Sequence, residues 1–409
     1  MLSLPPALLL LCIGGQFDAN GLVTLEARAG EAPLNADGVV RAGVVAVLTP
    51  DLQLSYLSRT TDLRLDYSPR IFWREPNDLN THRPLILHVA NFVAVSQASR
   101  TLRLTGSANA SIGESDYTAL AQLLGPTQAA IPSVVDFLSV TSSAGAVANL
   151  SRRATFGAAL TFTHRRPLGA AATVVLPDPS MTPFPRQTSF TASPSLRVNL
   201  SRADDLILTS PVSYGTYSTG VDILTVSPQV GWLTHLSPLY DLRAALGIAY
   251  ARVVPALTTS SPVAPVGELG LDMRLSNQGG VATRASTGVR VDYFVDPVLG
   301  TAGPRALVLL GLSSTLNPDW LVGIDASYST VFVGTSPGPM GYQPDETAVS
   351  VSIPVRFRAS DNLLTEFGFR YSDRAPSVQV SAFGFHQRQL WLYGLFTATT
   401  RRPTSRRVQ

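Results

Sequence analysis

A short polar turn recurs eight times along this chain, and on either side of most copies lie long segments of two-residue periodicity. The unit is an apolar residue, then Ser or Asn, then a few polar residues. It reads Leu57-Ser-Arg-Thr-Thr-Asp62, Val95-Ser-Gln-Ala-Ser-Arg100, Leu150-Ser-Arg-Arg153, Leu200-Ser-Arg-Ala-Asp-Asp205, Leu236-Ser-Pro238, Leu275-Ser-Asn-Gln-Gly-Gly280, Leu316-Asn-Pro-Asp319 and Ala359-Ser-Asp-Asn362. Repetition at a near-constant spacing marks a fold built from one repeated unit. After the first turn Leu63, Leu65, Tyr67, Ile71 and Trp73 alternate with Arg64, Asp66, Ser68, Arg70, Phe72 and Arg74. After the fifth, Tyr240, Leu242, Ala244, Leu246, Ile248 and Tyr250 alternate with Asp241, Arg243, Ala245, Gly247 and Ala249. Period two over such lengths is a β-strand with one apolar and one polar face.

These segments run about ten to fourteen residues, whereas strands of soluble proteins average ~5–6 and a tilted strand crossing a bilayer needs ~9–11. The connections alternate too. Turns within a repeat are short, and those between repeats are long: Glu75 to Arg83, Glu114 to Ser133, Arg165 to Arg186, Val253 to Ala264 and Val333 to Asp345. A β-propeller shares a period near 40, but its blades hold four short strands each. An array of soluble sandwiches would carry ordinary charge. Here Asp, Glu, Lys and Arg together make up 14% of 409 residues while hydrophobic residues make up 45%, against roughly a quarter charged in ordinary globular domains. Past the N-terminus no apolar run approaches the ~18–20 residues of a spanning helix. Strand length, charge poverty and loop asymmetry together point to a closed membrane barrel with short turns on one rim and long loops on the other.

Aromatic placement agrees. Tyr240 and Tyr250 have the same parity and are ten residues apart. At ~3.3 Å per residue and ~40° tilt that spans about 25 Å, the height of a lipid-facing band between aromatic girdles. Trp320 and Phe332 bracket another strand in the same way.

Residues 1–15 are expected to form an export signal. Ala7-Leu-Leu-Leu-Leu-Cys-Ile13 is a short apolar core followed by Gly14-Gly15. Cys12, the single cysteine, lies inside it, so removal of the segment leaves no thiol for catalysis or metal binding. All 31 basic residues are Arg, each a planar fork suited to carboxylate partners. A net charge of +3 with arginines spread along the chain argues against nucleic acid as a partner.

The alternating segments, the signal-like start, the short turns and the long loops resemble those of bacterial outer-membrane β-barrel proteins, in particular large single-chain barrels with stretches like Leu65-Asp-Tyr-Ser-Pro-Arg-Ile-Phe-Trp73. The resemblance implies an all-β, transmembrane, antiparallel up-and-down barrel over residues 22–400, with periplasmic turns and termini and extracellular loops. It also implies Gram-negative origin, outer-membrane lipids and lipopolysaccharide as surroundings, and assembly by the outer-membrane insertion machinery. Eight hairpins give sixteen strands, and an opening strand near Leu22–Arg28 with a closing one near Gln389–Thr397 makes eighteen. The chain departs from the family at its end. Members usually finish on an aromatic insertion signal, whereas here Gln389-Leu-Trp-Leu-Tyr-Gly-Leu-Phe396 runs on into Thr397 and a basic tail, 401–409.

Charge on a lipid face costs about 2–4 kcal/mol at mid-bilayer, so charged residues of the polar parity must face the lumen. Those are Arg64, Asp66, Arg70 and Arg103, then Asp241, Arg243, Glu268, Asp272 and Arg274. The last strands add Arg284, Arg290, Asp292, Asp325, Arg356, Glu366 and Arg370. They suit either a rigid, wet wall of Arg–carboxylate pairs or a pore lining that sorts solutes by charge. His88 and His164 are read as lumen or rim histidines, and Asp178, Asp204 and Asp205 as solvated turn residues. No nucleophile, phosphate-loop, cofactor or metal motif stands out, so the chain is expected not to be an enzyme. A barrel of 16–18 strands is too wide for side chains to fill. The expected function is a passive channel for small polar solutes. Two alternatives stay open: a structural or surface-binding barrel whose lumen is blocked by the Glu114–Ser133 loop, and a barrel-embedded hydrolase.

Overall fold

The computed structural model describes residues 15–32, 41–75, 84–116, 134–168, 186–218, 220, 222–254, 263–278, 281–296, 301–331, 346–376 and 387–399. The first third holds β1 (Gln16–Ala32), β2 (Arg41–Leu57), β3 (Thr61–Tyr67), β4 (Arg70–Glu75), β5 (Leu85–Gln97), β6 (Leu102–Asp116) and β7 (Val134–Asn149). Next come β8 (Ala154–Pro167), β9 (Gln187–Asn199), β10 (Asp204–Thr209), β11 (Val212–Tyr217), β12 (Asp222–Val226), β13 (Gln229–Ser237) and β14 (Tyr240–Val254). The last third holds β15 (Val263–Gln278), β16 (Val281–Asp296), β17 (Thr301–Asn317), β18 (Trp320–Val331), β19 (Glu346–Ser360), β20 (Leu363–Pro376) and β21 (Gln387–Thr399). Three pairs of segments are single staves interrupted: β3–β4, β10–β11 and β12–β13. Register runs through each gap without slipping, as where Tyr67 lies opposite Leu52 and Ile71 opposite Leu48. The twenty-one segments therefore make eighteen staves. All pair antiparallel, and β1 pairs with β21 to close the barrel. The opening strand begins at Gln16, earlier than the expected Leu22. Residues 1–14 of the expected export segment 1–15, and the tail 401–409, lie outside the described residues.

The recurring turn is explained by its hydroxyl. Ser58 Oγ accepts the backbone N–H of Thr61 at 3.0 Å, Ser151 Oγ that of Ala154 at 3.0 Å, and Ser201 Oγ that of Asp204 at 3.0 Å. Asn317 Oδ1 accepts from Asp319 and Trp320, both at 2.9 Å. These side chains satisfy amides that the reversing strand leaves unpaired. In the second copy the cap is Ser99, which accepts from Leu102 at 3.1 Å, whereas Ser96 still belongs to the strand. From the fifth copy on, the apolar residue of the repeat is an extra residue. The register slips between His235 and Ser237, Arg274 and Ser276, Thr315 and Asn317, and Arg358 and Ser360. Such bulges add local twist where the chain reverses.

The interruptions have a chemical cause. Pro69, Pro211 and Pro228 lie in the three gaps, and proline has no amide to give to a ladder. The N–H of Ser210 donates to Pro194 O at 3.3 Å, that of Ser227 to Pro211 O at 2.9 Å, and that of Ile248 to Pro228 O at 3.2 Å. In each pair the proline cannot return the bond, so three neighbouring seams each lack one ladder hydrogen bond. Pro228→Ala restores a donor opposite Ile248. It is expected to slow amide exchange around 226–230 and to raise stability by about 0.5–1.5 kcal/mol, the net value of one hydrogen bond. Unchanged exchange there would mean that the seam is not weakened by the missing donor.

Candidate functional site

Residues directly opposite in an antiparallel pair project from the same face, so the register fixes the face of every stave. On β14 the even positions carry Leu246 and Ile248, 77% and 57% exposed, among the most exposed large apolar side chains of the described residues. Their partners continue this apolar face round the closed sheet: Leu269 and Val289, Leu310, Ile324 and Tyr328, Phe367, Leu392 and Phe396, Leu25, then Leu54 and Leu65. A surface this apolar and this exposed requires a lipid surround. The odd positions of β14 and everything in register with them form the inner face.

All sixteen charged residues read from parity lie on that inner face, and many are brought together. Arg243 on β14 reaches Asp272 at 3.0 Å and Glu268 at 3.9 Å across to β15. Arg274 approaches Asp241 at 3.6 Å, and His235 hydrogen-bonds the same carboxylate at 2.5 Å. Arg290 lies 3.6 Å from Asp292. Arg356 grips one oxygen of Glu366 through Nε and Nη2 at 2.9 and 2.8 Å. Tyr393 donates to the other oxygen of Glu366 at 3.0 Å, and the Arg370 guanidinium sits 5.6 Å over the Tyr393 ring. That ring lies against Gly368, where any Cβ would come within 2.5 Å of it. Arg64 pairs with Asp62 at 3.0 Å rather than with Asp66. Among the described residues, Asp66, Arg70, Arg103, Arg284, Asp325 and Arg370 make no ion pair.

Parity reading missed several inner-face charges. Glu26 and Arg28 on β1 pair at 2.5 Å, and Asp292 is held by Arg305 at 2.6 Å. The β1 pair carries a period-two signal and lies within the expected opening strand Leu22–Arg28. Arg305 is masked because the following run, Ala306 to Leu312, is apolar on both parities.

Three expectations are corrected. Asp205 is not a solvated turn residue: it is buried on the inner face and bound by both Nε and Nη2 of Arg197. Asp204 does belong to the turn, accepting from Ser201 Oγ at 2.6 Å. Of the lumen and rim readings of His88 and His164 the lumen one is corrected: both point outward near the long-loop rim, because they pair with Ile112 and Val140 of the outer face. His88 Nδ1 lies 2.8 Å from the Tyr67 hydroxyl, and His164 Nδ1 lies 2.9 Å from Thr188 Oγ1. Asp178, His82, His386 and Phe332 lie outside the described residues.

The Arg197–Asp205 pair is asymmetric, with side chains 49% and 10% exposed. Arg197→Ala strands a buried carboxylate and is expected to cost about 1–3 kcal/mol. Asp205→Asn leaves an exposed arginine that water can solvate, and is expected to cost clearly less. Thermal unfolding in detergent compares them; equal losses would remove this account of the pair.

The inner face changes character along its height. Toward the short-turn rim its arginines are solvent-exposed; Arg64 and Arg274 are each 63% exposed. Toward the long-loop rim a buried apolar set stands beside the Glu26–Arg28 and Asp292–Arg305 pairs. Val47, Phe72, Leu87, Phe137, Ile223, Val266 and Trp391 are all buried, each in the half of its stave nearer the long connections. Arg165 is at the same level, and its buried Nε has no hydrogen-bond partner. The inner face thus combines open, charged stretches with a buried apolar set nearer the long loops.

A closed antiparallel barrel with an apolar outer face and a charged inner one is an outer-membrane β-barrel, and the outer membrane is its location. No protein-family model and no curated protein matches the chain. Solved structures do. The FrpB iron transporter from Neisseria meningitidis (F5-1 variant) superposes with a TM-score of 0.53 at 9% identity, over 92% of this chain and 67% of that one. A mutant of the ferric enterobactin receptor PfeA from Pseudomonas aeruginosa gives 0.50 at 10% identity, over 93% and 80%. The outer membrane protein opdK from Pseudomonas aeruginosa gives 0.45 at 10%, over 93% and 99%. At these identities the likeness is one of fold.

Proposed function

We propose that this barrel is a passive channel for small polar solutes, with the inner-face arginines and carboxylates as its lining. One observation carries the proposal: charges of both signs, such as Arg243, Glu268 and Asp272, stand exposed on the inner face of a closed wall, which requires water inside. Because most arginines are paired with a carboxylate in the wall, ion selectivity should be weak. Lipids of the outer membrane and the machinery that inserts such barrels are the partners that accompany this function. The test is purified full-length protein in a planar bilayer. Stepwise conductance with weak selectivity, altered by Arg64→Gln with Arg70→Gln, supports the channel.

The buried apolar level toward the long loops favours a second function, a structural or surface-binding barrel with a shut lumen. No conductance at all, including after deletion of residues 117–131, would reject the channel in favour of it.

A further inference from the structure

Ordered round the wall, the inner face is divided into two arcs. From β14 through β21 and on through β1 to β4, it carries the ion-paired charges described above. From β5 through β13 it is almost uncharged. Charges on this second arc occur only toward its rims: Arg103, the Arg197–Asp205 pair and His235 toward the short turns, and Arg165 toward the long loops. Between them hydroxyl and amide side chains predominate, interspersed with apolar ones such as Val93 and Val147. Ser107 and Ser143 are hydrogen-bonded at 2.7 Å, Thr141 and Thr163 at 3.4 Å, and Ser213 and Thr225 at 2.5 Å, while Asn109 donates to Asn91. Because staves follow one another in chain order round the closed wall, this neutral arc faces the charged one across the lumen.

The two arcs offer different things to a solute. On the charged arc most arginines are already satisfied by wall carboxylates, so a passing ion gains little. On the neutral arc each hydroxyl pair spends one donor and one lone pair on itself and keeps a donor and further lone pairs for the lumen. Such sites recur every second residue, about 6.6 Å apart along a stave. A hydroxylated molecule exchanges hydrogen bonds with them without desolvating a charge, whereas a polyether diol of equal size has only its two terminal hydroxyls as donors to return.

We infer that the neutral arc, through Ser107, Ser143, Thr141, Thr163, Asn91 and Asn109, is a track that selects uncharged polyhydroxylated solutes such as open-chain polyols and small saccharides. The inference rests on the channel function proposed above. The test is swelling of liposomes holding the full-length protein, in sorbitol and in tetraethylene glycol, two neutral solutes of similar mass, with ionic conductance measured on the same preparation. Wild type is expected to admit sorbitol at least about threefold faster, the ratio that one modest net hydrogen bond gives. Ser107→Ala/Ser143→Ala/Thr141→Val/Thr163→Val should abolish that preference while conductance stays; if this variant does not insert, Ser107→Ala/Ser143→Ala alone should halve it. Equal entry of both solutes into wild-type liposomes that still conduct would overturn the track and leave the channel standing. Neither swelling nor conductance would remove both.

Discussion

Arginine at Leu246 or Ile248 is expected to block assembly, with a loss of about 2–4 kcal/mol where the side chain sits near the bilayer midplane. Both residues project from the outer face of β14, and Leu246 is 77% exposed to what must be lipid. The same substitution at Ser350 or Ser327, which hydrogen-bond each other at 2.7 Å on the inner face, meets water and nearby carboxylates and is expected to be tolerated. Val322, outward on β18, should behave like Ile248. The check is the fraction of heat-modifiable, folded protein after refolding into liposomes. Equal losses on the two faces would mean that inside and outside have been exchanged. One inner position is expected to break the pattern. Ala249 has the polar parity of its strand, yet it is buried, so arginine there should fail too.

That exception marks where the sequence stops being informative. Register within a hairpin is written in local alternation and in the capping Ser or Asn of each turn, so the staves, the eight short turns and the faces of Arg64, Arg243 or Glu366 are legible from residues a few positions apart. Closure is legible only through strand number and loop asymmetry, since the pairing of Leu25 with Phe396 joins opposite ends of the chain. Height within the lumen is not legible at all. Leu87 and Leu309 are both leucines of inner parity, yet one is buried and the other open, and nothing in their neighbours announces it. Proline interruptions were visible as residues, but Pro194, Pro211 and Pro228 become one weakened band only when four staves lie side by side. The outward turn of His88 and His164 was open to parity counting as well; both share phase with outward aromatics, Phe92 on β5 and Phe162 on β8.

Leu87→Ala is the substitution that separates a closed lumen from a wet one. In a water-filled barrel an inner-wall leucine contributes little, because its truncation removes apolar surface that was already hydrated. Leu87 has no exposed surface, so its truncation should behave as in a packed core and cost about 2–5 kcal/mol through lost transfer energy and the cavity left behind. Leu309, also on the inner face but 45% exposed, should cost well under half of that when changed to alanine. The two variants are compared by urea unfolding in the same detergent, read as a shift in midpoint at constant slope. In the bilayer assay Leu87→Ala should also raise the conductance, since the cavity loosens the buried apolar set of the inner face toward the long loops. If Leu87→Ala and Leu309→Ala cost the same small amount and leave conductance unchanged, the long-loop half of the lumen is hydrated and the channel is open along its whole height.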